Sequence, residues 1–573
     1  MPYHRLVSTL FGGVFCSLAY LGCGLLGQAR TLAWYSQATA LFAVELIVAG
    51  AFYRLVFHPL AKYPGPLIGC LTDWYSAYWL VHGGRHLNFH NQHKKYGKYV
   101  RYGPNRLSIN SVGASRDLHD VKANVCKGNA YGAAKIFFGQ EMSMSTQDVK
   151  SHAFRRRVNV AAITSTAIKD FEELVTPHVD LLMNLVGQGA GVVSDGEAGW
   201  TSGRDMSSYF GHCIADMMGS VTFNRSWETQ KEEKYRHFVK GSPDGVCGIH
   251  LVGHLQYLCK GNLHKLLFKE LVDGIGELTS VSRDFATWRM NQTDLKHRDI
   301  WAALLGARDP KTGVAFNEEQ LISEAGLFIV GGTDGVITAI SATLFYLLHN
   351  PRALARLTKE VRDTFPLAPE HHGKRAADVP RPIQFCSPEL SKLTYLLSCM
   401  DEAMRLSPPV PSILPRMVRA GGIFIDGEYF PEGVQLGIPH YSLQRTEEYY
   451  PRPNEYIPER WIASERKNGT APVGAEPSKL KPGAGQAPAF TPFGAGRASC
   501  IGKTLAYQEI SLMLARLVWL YDMRIEPGNV AGEGTGGEAE GRGCKNEYQL
   551  SDRFVSKQEG PVVQFRYREE LRA

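Results

Sequence analysis

Apolar residues run almost unbroken from Leu6 to Leu26, and again from Thr31 to Phe57, where Glu45 interrupts them. At about 1.5 Å per residue the first stretch can cross a hydrocarbon core of about 30 Å. The centre of the second, Ala38 to Tyr53, is short for a span, and Glu45 in lipid costs about 2.5–3.5 kcal/mol unless it is neutralised. Two transmembrane helices are the preferred reading. One span with an interfacial helix, or a cleaved signal peptide, are the alternatives. Arg5 precedes the first stretch, Arg54 and Lys62 close the second, and Arg30 lies between them, so both ends face the cytosol by the positive-inside rule. A proline-stiffened linker, PLAKYPGP at 59–66, follows.

From Thr72 to Pro527 the apolar spacing is mostly helical. Residues 317–350 read as one long helix that Asn317 and Gln320 cap and Asn350-Pro351 stops. Residues 395–406 and 504–521 read as two more. Short strands are expected at 99–102 and 107–109 around Gly103-Pro104-Asn105, and at 422–425 paired with 434–438 around Asp426-Gly427. Segments 464–488 and 528–546 are low in complexity and read as solvated surface insertions.

Hydrophobic residues make up 44% and charged residues 21% of the 573 positions, so the chain can build a large core and is not disordered throughout. Lys and Arg exceed Asp and Glu by 63 − 56 = 7 without a block of like charge, which disfavours nucleic acid as a partner. Eleven scattered cysteines with no CxxC pair point to a reducing compartment and no zinc site.

The most informative segment is FTPFGAGRASCIGK at 490–503. Cys500 stands just before a helix N-terminus, where the dipole favours thiolate. Gly494, Gly496 and Gly502 allow backbone N–H groups close to the sulfur. A lone thiolate suits haem iron, whose equatorial ligands come from the porphyrin. A buried structural cysteine and a nucleophile remain the alternatives.

Here the sequence resembles the cytochrome P-450 family, whose signature has the form FxxGxRxCxG. Phe493, Gly496, Cys500 and Gly502 fall in register, whereas Ala498 holds the arginine position and Arg497 is displaced by one. Glu402 and Arg405, three apart on a helix, form an ExxR pair that in isolation reads as a surface ion pair. It gains force from YIPERW at 456–461. The resemblance implies that Glu402, Arg405 and Arg460 form a structural charge network, that Arg416 binds a haem propionate, and that Ser412 to Leu414 line the substrate cavity. It further implies that His152 and Arg156 occupy the tryptophan and arginine positions of a propionate-binding helix, within a run Arg155–Arg157 that otherwise reads as a basic solvated helix.

In the long helix, GGTDG at 331–335 matches the family pattern [AG]Gx[DE]T[TS] at Gly331, Gly332 and Asp334, but Gly335 replaces the threonine. Three glycines mid-helix cost about 1 kcal/mol each relative to alanine. They serve either a widened groove at the haem or close helix packing. Thr333 or Thr338 could replace the lost hydroxyl, or a water at Gly335.

The resemblance implies a mainly α fold with small β-sheets. A membrane anchor would occupy 1–58 and the haem-binding catalytic domain 59–573. The implied cofactor is haem b with a cysteine thiolate, and the partners are NADPH–cytochrome P-450 reductase, dioxygen and a lipophilic small molecule. The implied activity is monooxygenation at the endoplasmic reticulum membrane, in the style of fungal specialised metabolism. Desaturation, coupling or rearrangement, or haem binding without turnover, are the other readings.

Overall fold

The computed structural model describes residues 28–190, 199–292, 298–309, 311–375, 378–462, 489–537 and 540–572. The first apolar stretch and the whole of segment 464–488 lie outside them.

The second apolar stretch is one continuous helix, α1 (Gln28–Phe52), extended by a single wide turn at Tyr53–Phe57. Its Tyr35–Phe57 portion has 23 residues and a mean hydropathy of 1.9, and none of it is buried against protein. The short centre expected from Ala38 to Tyr53 is thus part of a helix long enough to span, because Glu45 does not break helical geometry.

The globular part is built from helices: α2 (Arg85–Tyr96), α3 (Val149–Ala162), α4 (Met206–Phe223), α5 (Arg236–His254), α6 (Lys269–Met290), α7 (Glu318–His349), α8 (Thr394–Leu406) and α9 (Lys503–Leu520). The long helix α7 forms as expected. The Asn317 side chain accepts from the Gln320 amide at 2.9 Å, and the Gln320 side chain accepts from the Asn317 amide at 3.0 Å. It is apolar enough to pass for a membrane span, yet 78% of its most apolar window is buried, so it is the core helix. It packs on α4, α6 and α8.

A five-stranded sheet flanks the helices. β1 (Tyr99–Gly103) and β2 (Arg106–Ile109) form the expected hairpin. β3 (Val125–Lys127) and β4 (Arg416–Val418) pair antiparallel with Lys127 opposite Arg416. The second expected strand pair is corrected. β5 (Ile423–Ile425) pairs with β6 (Glu428–Phe430) across Asp426-Gly427, both at positive φ (52° and 82°), the twist a two-residue hairpin needs. β7 (Gln435–Gly437) instead joins β2 in parallel and β4 antiparallel. The described part of the glycine-rich segment 528–546 lies at the surface but is tied down. Glu540 bonds Lys94 and Asn454, and Glu533 meets His349.

Candidate functional site

The loop before α9 is held by its own backbone. The Cys500 amide donates to the Phe493 carbonyl at 2.7 Å, and the Gly502 and Lys503 amides approach the Cys500 sulfur. Gly496 is obligatory, since it sits at φ 64° and a Cβ there would lie 1.8 Å from the His119 carbonyl oxygen. The Phe493 ring packs on Tyr507, with centroids 5.3 Å apart. Cys500 retains exposed surface although protein surrounds it closely. Burial pushes its thiol pKa up; the Gly502 amide, Arg156 and the Lys503 amide oppose the shift.

Beside the loop lies a cavity of about 550 Å³, walled on one side by Ala495, Arg497 and Ala498. Lys127, His152, Arg156 and Arg416 also line it. Among the described residues Lys127, Arg156 and Arg416 form no ion pair, although Asp120 also lines the cavity and Glu324 acts on Lys127 from nearby. Arg156 donates to the Ser499 carbonyl (2.6 Å) and hydroxyl (3.0 Å). Arg416 donates to the Leu414 and Pro415 carbonyls, Arg497 to those of Ala123 and Val125, and Lys127 to that of Ser143. Burial, then Lys127, Arg156, Arg416 and Arg497, hold the His152 pKa down at about 3, so this imidazole is neutral. Such a gathering of cations calls for an anionic ligand. A thiol flanked by backbone donors beside an anion-seeking cavity fits haem with its two propionates.

The basic run on α3 divides three ways. Only Arg156 turns to the cysteine loop. Arg155 pairs with buried Glu324 at 2.9 Å, and Arg157 grips Asp309 through two bonds of 2.8 Å. Successive helical residues point about 100° apart, which is why one run cannot serve one ligand.

Between Leu321 and Leu347 on α7, only Leu327, Gly331, Gly332 and Gly335 keep exposed surface. Their spacing puts them on one face. Gly332 is also a packing glycine, because a Cβ there would meet the Met218 side chain at 2.3 Å. Gly335 is not, since its nearest neighbour would be Pro409 Cβ at 3.8 Å. Asp334 is buried and turned toward α5, where the Ser242 hydroxyl donates to its Oδ1 at 2.6 Å. Its Oδ2 has no partner among the described residues. Burial raises the carboxyl pKa to about 7. The Thr333 hydroxyl donates to the Ile329 carbonyl. The Thr338 hydroxyl lies 3.0 Å from both the Asp334 carbonyl and Gln558 Oε1.

On α8, Glu402 accepts two bonds of 2.9 Å from Arg405 and one of 2.9 Å from Arg460. The Trp461 indole and the Ile457 amide donate to it at 3.0 Å. All three charged side chains are fully buried. Burial alone would raise the Glu402 pKa; Arg405 and Arg460 outweigh it and hold the value at about 2. The Ser412 side chain is buried and bonds buried Asp552, itself paired with Arg85.

Sequence reasoning did not single out Lys127, Ser242 or Glu324. Each acquires its partner only through tertiary packing. A buried-looking Ser or Lys in an apolar segment is the sole local signal.

A cytochrome P450 family model matches residues 59–532. The cytochrome P450 monooxygenase poxM of Penicillium oxalicum is 31% identical over 517 residues, covering 90% of this chain and 91% of its own length. The cytochrome P450 monooxygenase atnE of Emericella nidulans is 31% identical over 548 residues, covering 93% and 98%. With the cysteine loop, the buried ExxR network and near full-length similarity to monooxygenases in agreement, the chain belongs to the cytochrome P450 family of haem-thiolate oxidoreductases.

Proposed function

We propose that the protein is a membrane-attached monooxygenase that receives NADPH-derived electrons from a reductase and oxidises a lipophilic small molecule in fungal specialised metabolism. The observation that carries this reading is Cys500, a lone thiol at a helix N-terminus with two backbone amides on its sulfur, beside a cavity ringed by cations. Cys500 would hold the haem iron through its thiolate. Arg156, His152, Arg416 and Arg497 would hold the propionates, and Phe493 would help to hold the haem. Glu402, Arg405 and Arg460 would brace the loop without touching substrate. Haem held by a thiolate, when bound, activates dioxygen so that one atom enters substrate and the other leaves as water.

The chain's own contribution is proton management. Asp334 at a pKa of about 7 holds a proton near neutrality, and Ser242 fixes which oxygen carries it. The bond at Oδ1 leaves Oδ2, without a partner among the described residues, as the oxygen that carries the proton. Thr333 and Thr338 each have a backbone carbonyl in reach, so a water beside Gly335 is the better candidate for the missing hydroxyl.

Residues 1–58 would be the anchor and 59–573 the catalytic domain, at the endoplasmic reticulum membrane and facing the cytosol. Support comes from the unburied helix Tyr35–Phe57 and from exposed Leu67, Ile68 and Leu266. Trp74 and Phe268, with ring centroids 6.2 Å apart, join the segments carrying these residues. A reduced carbon-monoxide difference spectrum tests the ligation. Cys500→Ser abolishes the thiolate-type band, and a band that survives refutes Cys500 as ligand. Gly335 favours a second reading, in which the reaction is a desaturation, coupling or rearrangement. Labelled dioxygen absent from the product would select it.

A further inference from the structure

A second cavity lies against Leu327 of α7, and Phe138, Met142, Met144, Tyr131 and His250 of α5 also line it. The Tyr131 hydroxyl faces Arg416, which lines the cavity beside the cysteine loop, so Tyr131 joins the two spaces. Ser145, another lining residue, spends its hydroxyl locally, on the amide and carbonyl of Met142. None of the described lining residues is a cation or a carboxylate.

The His250 imidazole is held in a fixed plane. Phe554 stacks on it, with ring centroids 3.6 Å apart and 17° between the planes. Tyr131 meets it edge-on at 5.4 Å. Phe554 is the turn residue between two paired strands, β8 (Ser551–Arg553) and β9 (Val555–Lys557), and its φ is 81°. A bulky residue rarely adopts that conformation. Its amide donates to Asp552 at 3.0 Å, and Asp552 is in turn paired with Arg85. Strain of this kind persists where the surroundings over-determine it, and it gathers at ligand sites.

Only 2% of the His250 surface is exposed, yet among the described residues neither ring nitrogen has a hydrogen-bond partner. Burial, then Arg85, hold its pKa down at about 3 against the pull of Asp552, so the ring is neutral and presents one donor and one acceptor. Leaving such a group unpaired in the interior is costly. Water is a poor remedy. The cavity measures about 30 Å³, and a buried water ordinarily makes about three hydrogen bonds, whereas Tyr131 and Ser145 are already engaged. Displacing so poorly held a water with a polar ligand atom gains affinity. Unbranched Met142 and Met144 can change rotamer to make room for the rest of the ligand.

We propose that His250 is a specificity residue of this chain: its neutral imidazole hydrogen-bonds an uncharged hydroxyl carried by an otherwise apolar substrate. This deepens the monooxygenase reading above and rests on it.

The test uses the full-length holoprotein in lipid nanodiscs and a matched set of probes, decane, decanol and ionised decanoate. Binding is read by equilibrium dialysis, with empty nanodiscs subtracted, beside the substrate-induced spectral shift. His250→Phe keeps a ring for Phe554 to stack on and removes both nitrogens. It is expected to lower the preference for decanol over decane about tenfold, the scale of one hydrogen bond to a buried group. His250→Gln keeps a neutral donor and acceptor and loses less. A preference that changes less than about twofold in His250→Phe overturns the proposal. Equal loss in both variants also overturns it, because ring packing then sets the preference. So does a wild type that fails to bind decanol. Decanoate should bind wild type more weakly than decanol, since no cation lines the cavity; the reverse order, lost in His250→Phe, overturns the assignment of an uncharged group. If His250→Phe yields no carbon-monoxide band, His250→Leu is measured in its place by the same ratio. Dialysis does not depend on the iron, so failure of the haem-thiolate reading is distinguishable as a wild type that lacks the thiolate-type band.

Discussion

The guanidinium of Arg156 clasps Ser499 twice, through its carbonyl at 2.6 Å and its hydroxyl at 3.0 Å, and so ties α3 to the residue before the cysteine. The fork geometry of arginine permits this, and lysine, a single point charge, cannot reproduce it. Arg156→Lys is expected to lose about 1.5–3 kcal/mol of loop anchoring, the value of a charged hydrogen bond. The measurements are haem content of the purified protein and the share of inactive, non-thiolate carbon-monoxide complex, both worse in the variant. Ser499→Ala removes only the hydroxyl contact and costs less. Equal effects of the two would mean that the clasp does not hold the loop.

Glu402→Gln leaves two fully buried guanidiniums without their carboxylate. Breaking such a pair costs about 3–5 kcal/mol. The variant should show a lower Tm and poor haem retention, while any holoprotein recovered keeps a normal thiolate band if, as proposed, the network braces the loop without contacting the iron. The pH dependence has a definite sign. Glu402 has its pKa depressed from 4.5 to about 2 in the folded chain. Its stabilisation is present above about pH 4.5 and is lost as pH falls toward 2. Absorbance-monitored acid titration should therefore be less steep in that window for Glu402→Gln than for wild type.

These two sites differ in how far the sequence revealed them. Glu402 and Arg405 are one helical turn apart, which suggested their pairing, and Arg460 sits in a short motif, but only the family resemblance joined the three into a buried network. The Cys500 loop was legible because glycines, the cysteine and the following helix are contiguous. By contrast, Ser242 and Asp334 are 92 residues apart, and Arg155 and Glu324 are 169 apart. No periodicity links such pairs, and helix crossing brings them together. The strand Gln435–Gly437 was misassigned for the same reason. Its partner β2 is parallel and distant, whereas the nearest turn, Asp426-Gly427, already serves β5 and β6.

Asp334 titrates in the physiological range because burial raises its pKa from 3.8 to about 7. The proton is held below that pH and lost as pH rises through it. Peroxide released per NADPH consumed, measured with a reductase and substrate, should rise above pH 7 in wild type. Asp334→Asn should release more peroxide at every pH and lack that inflection. Ser242→Ala, which removes the only described partner of the carboxyl, should shift the inflection upward, since the hydroxyl bond favours the charged form. The raised pKa also makes the folded state progressively less stable as pH rises from about 3.8 to about 7, with no further loss above it, and Asp334→Asn should flatten Tm against pH in that window.

Gly335 is the position where the family pattern has threonine, and the structure leaves room for one. An added Cβ meets only Pro409 Cβ at 3.8 Å, an ordinary contact, and the backbone is regular helix. Glycine in a helix interior is worse than threonine by a few tenths of a kcal/mol, so Gly335→Thr should fold as well as wild type or slightly better. If water beside Gly335 does the work of the missing hydroxyl, the variant displaces it with a fixed donor. Peroxide release should then fall and product per NADPH rise. If the natural reaction instead needs that space for substrate, substrate-induced spectral shifts should weaken, with an apparent Kd several-fold higher, while the carbon-monoxide band is unchanged. The two outcomes separate a proton-delivery role for the Gly335 gap from a substrate-accommodating one. They do so in one variant whose stability is not in question, because nothing packs against the glycine more closely than van der Waals distance.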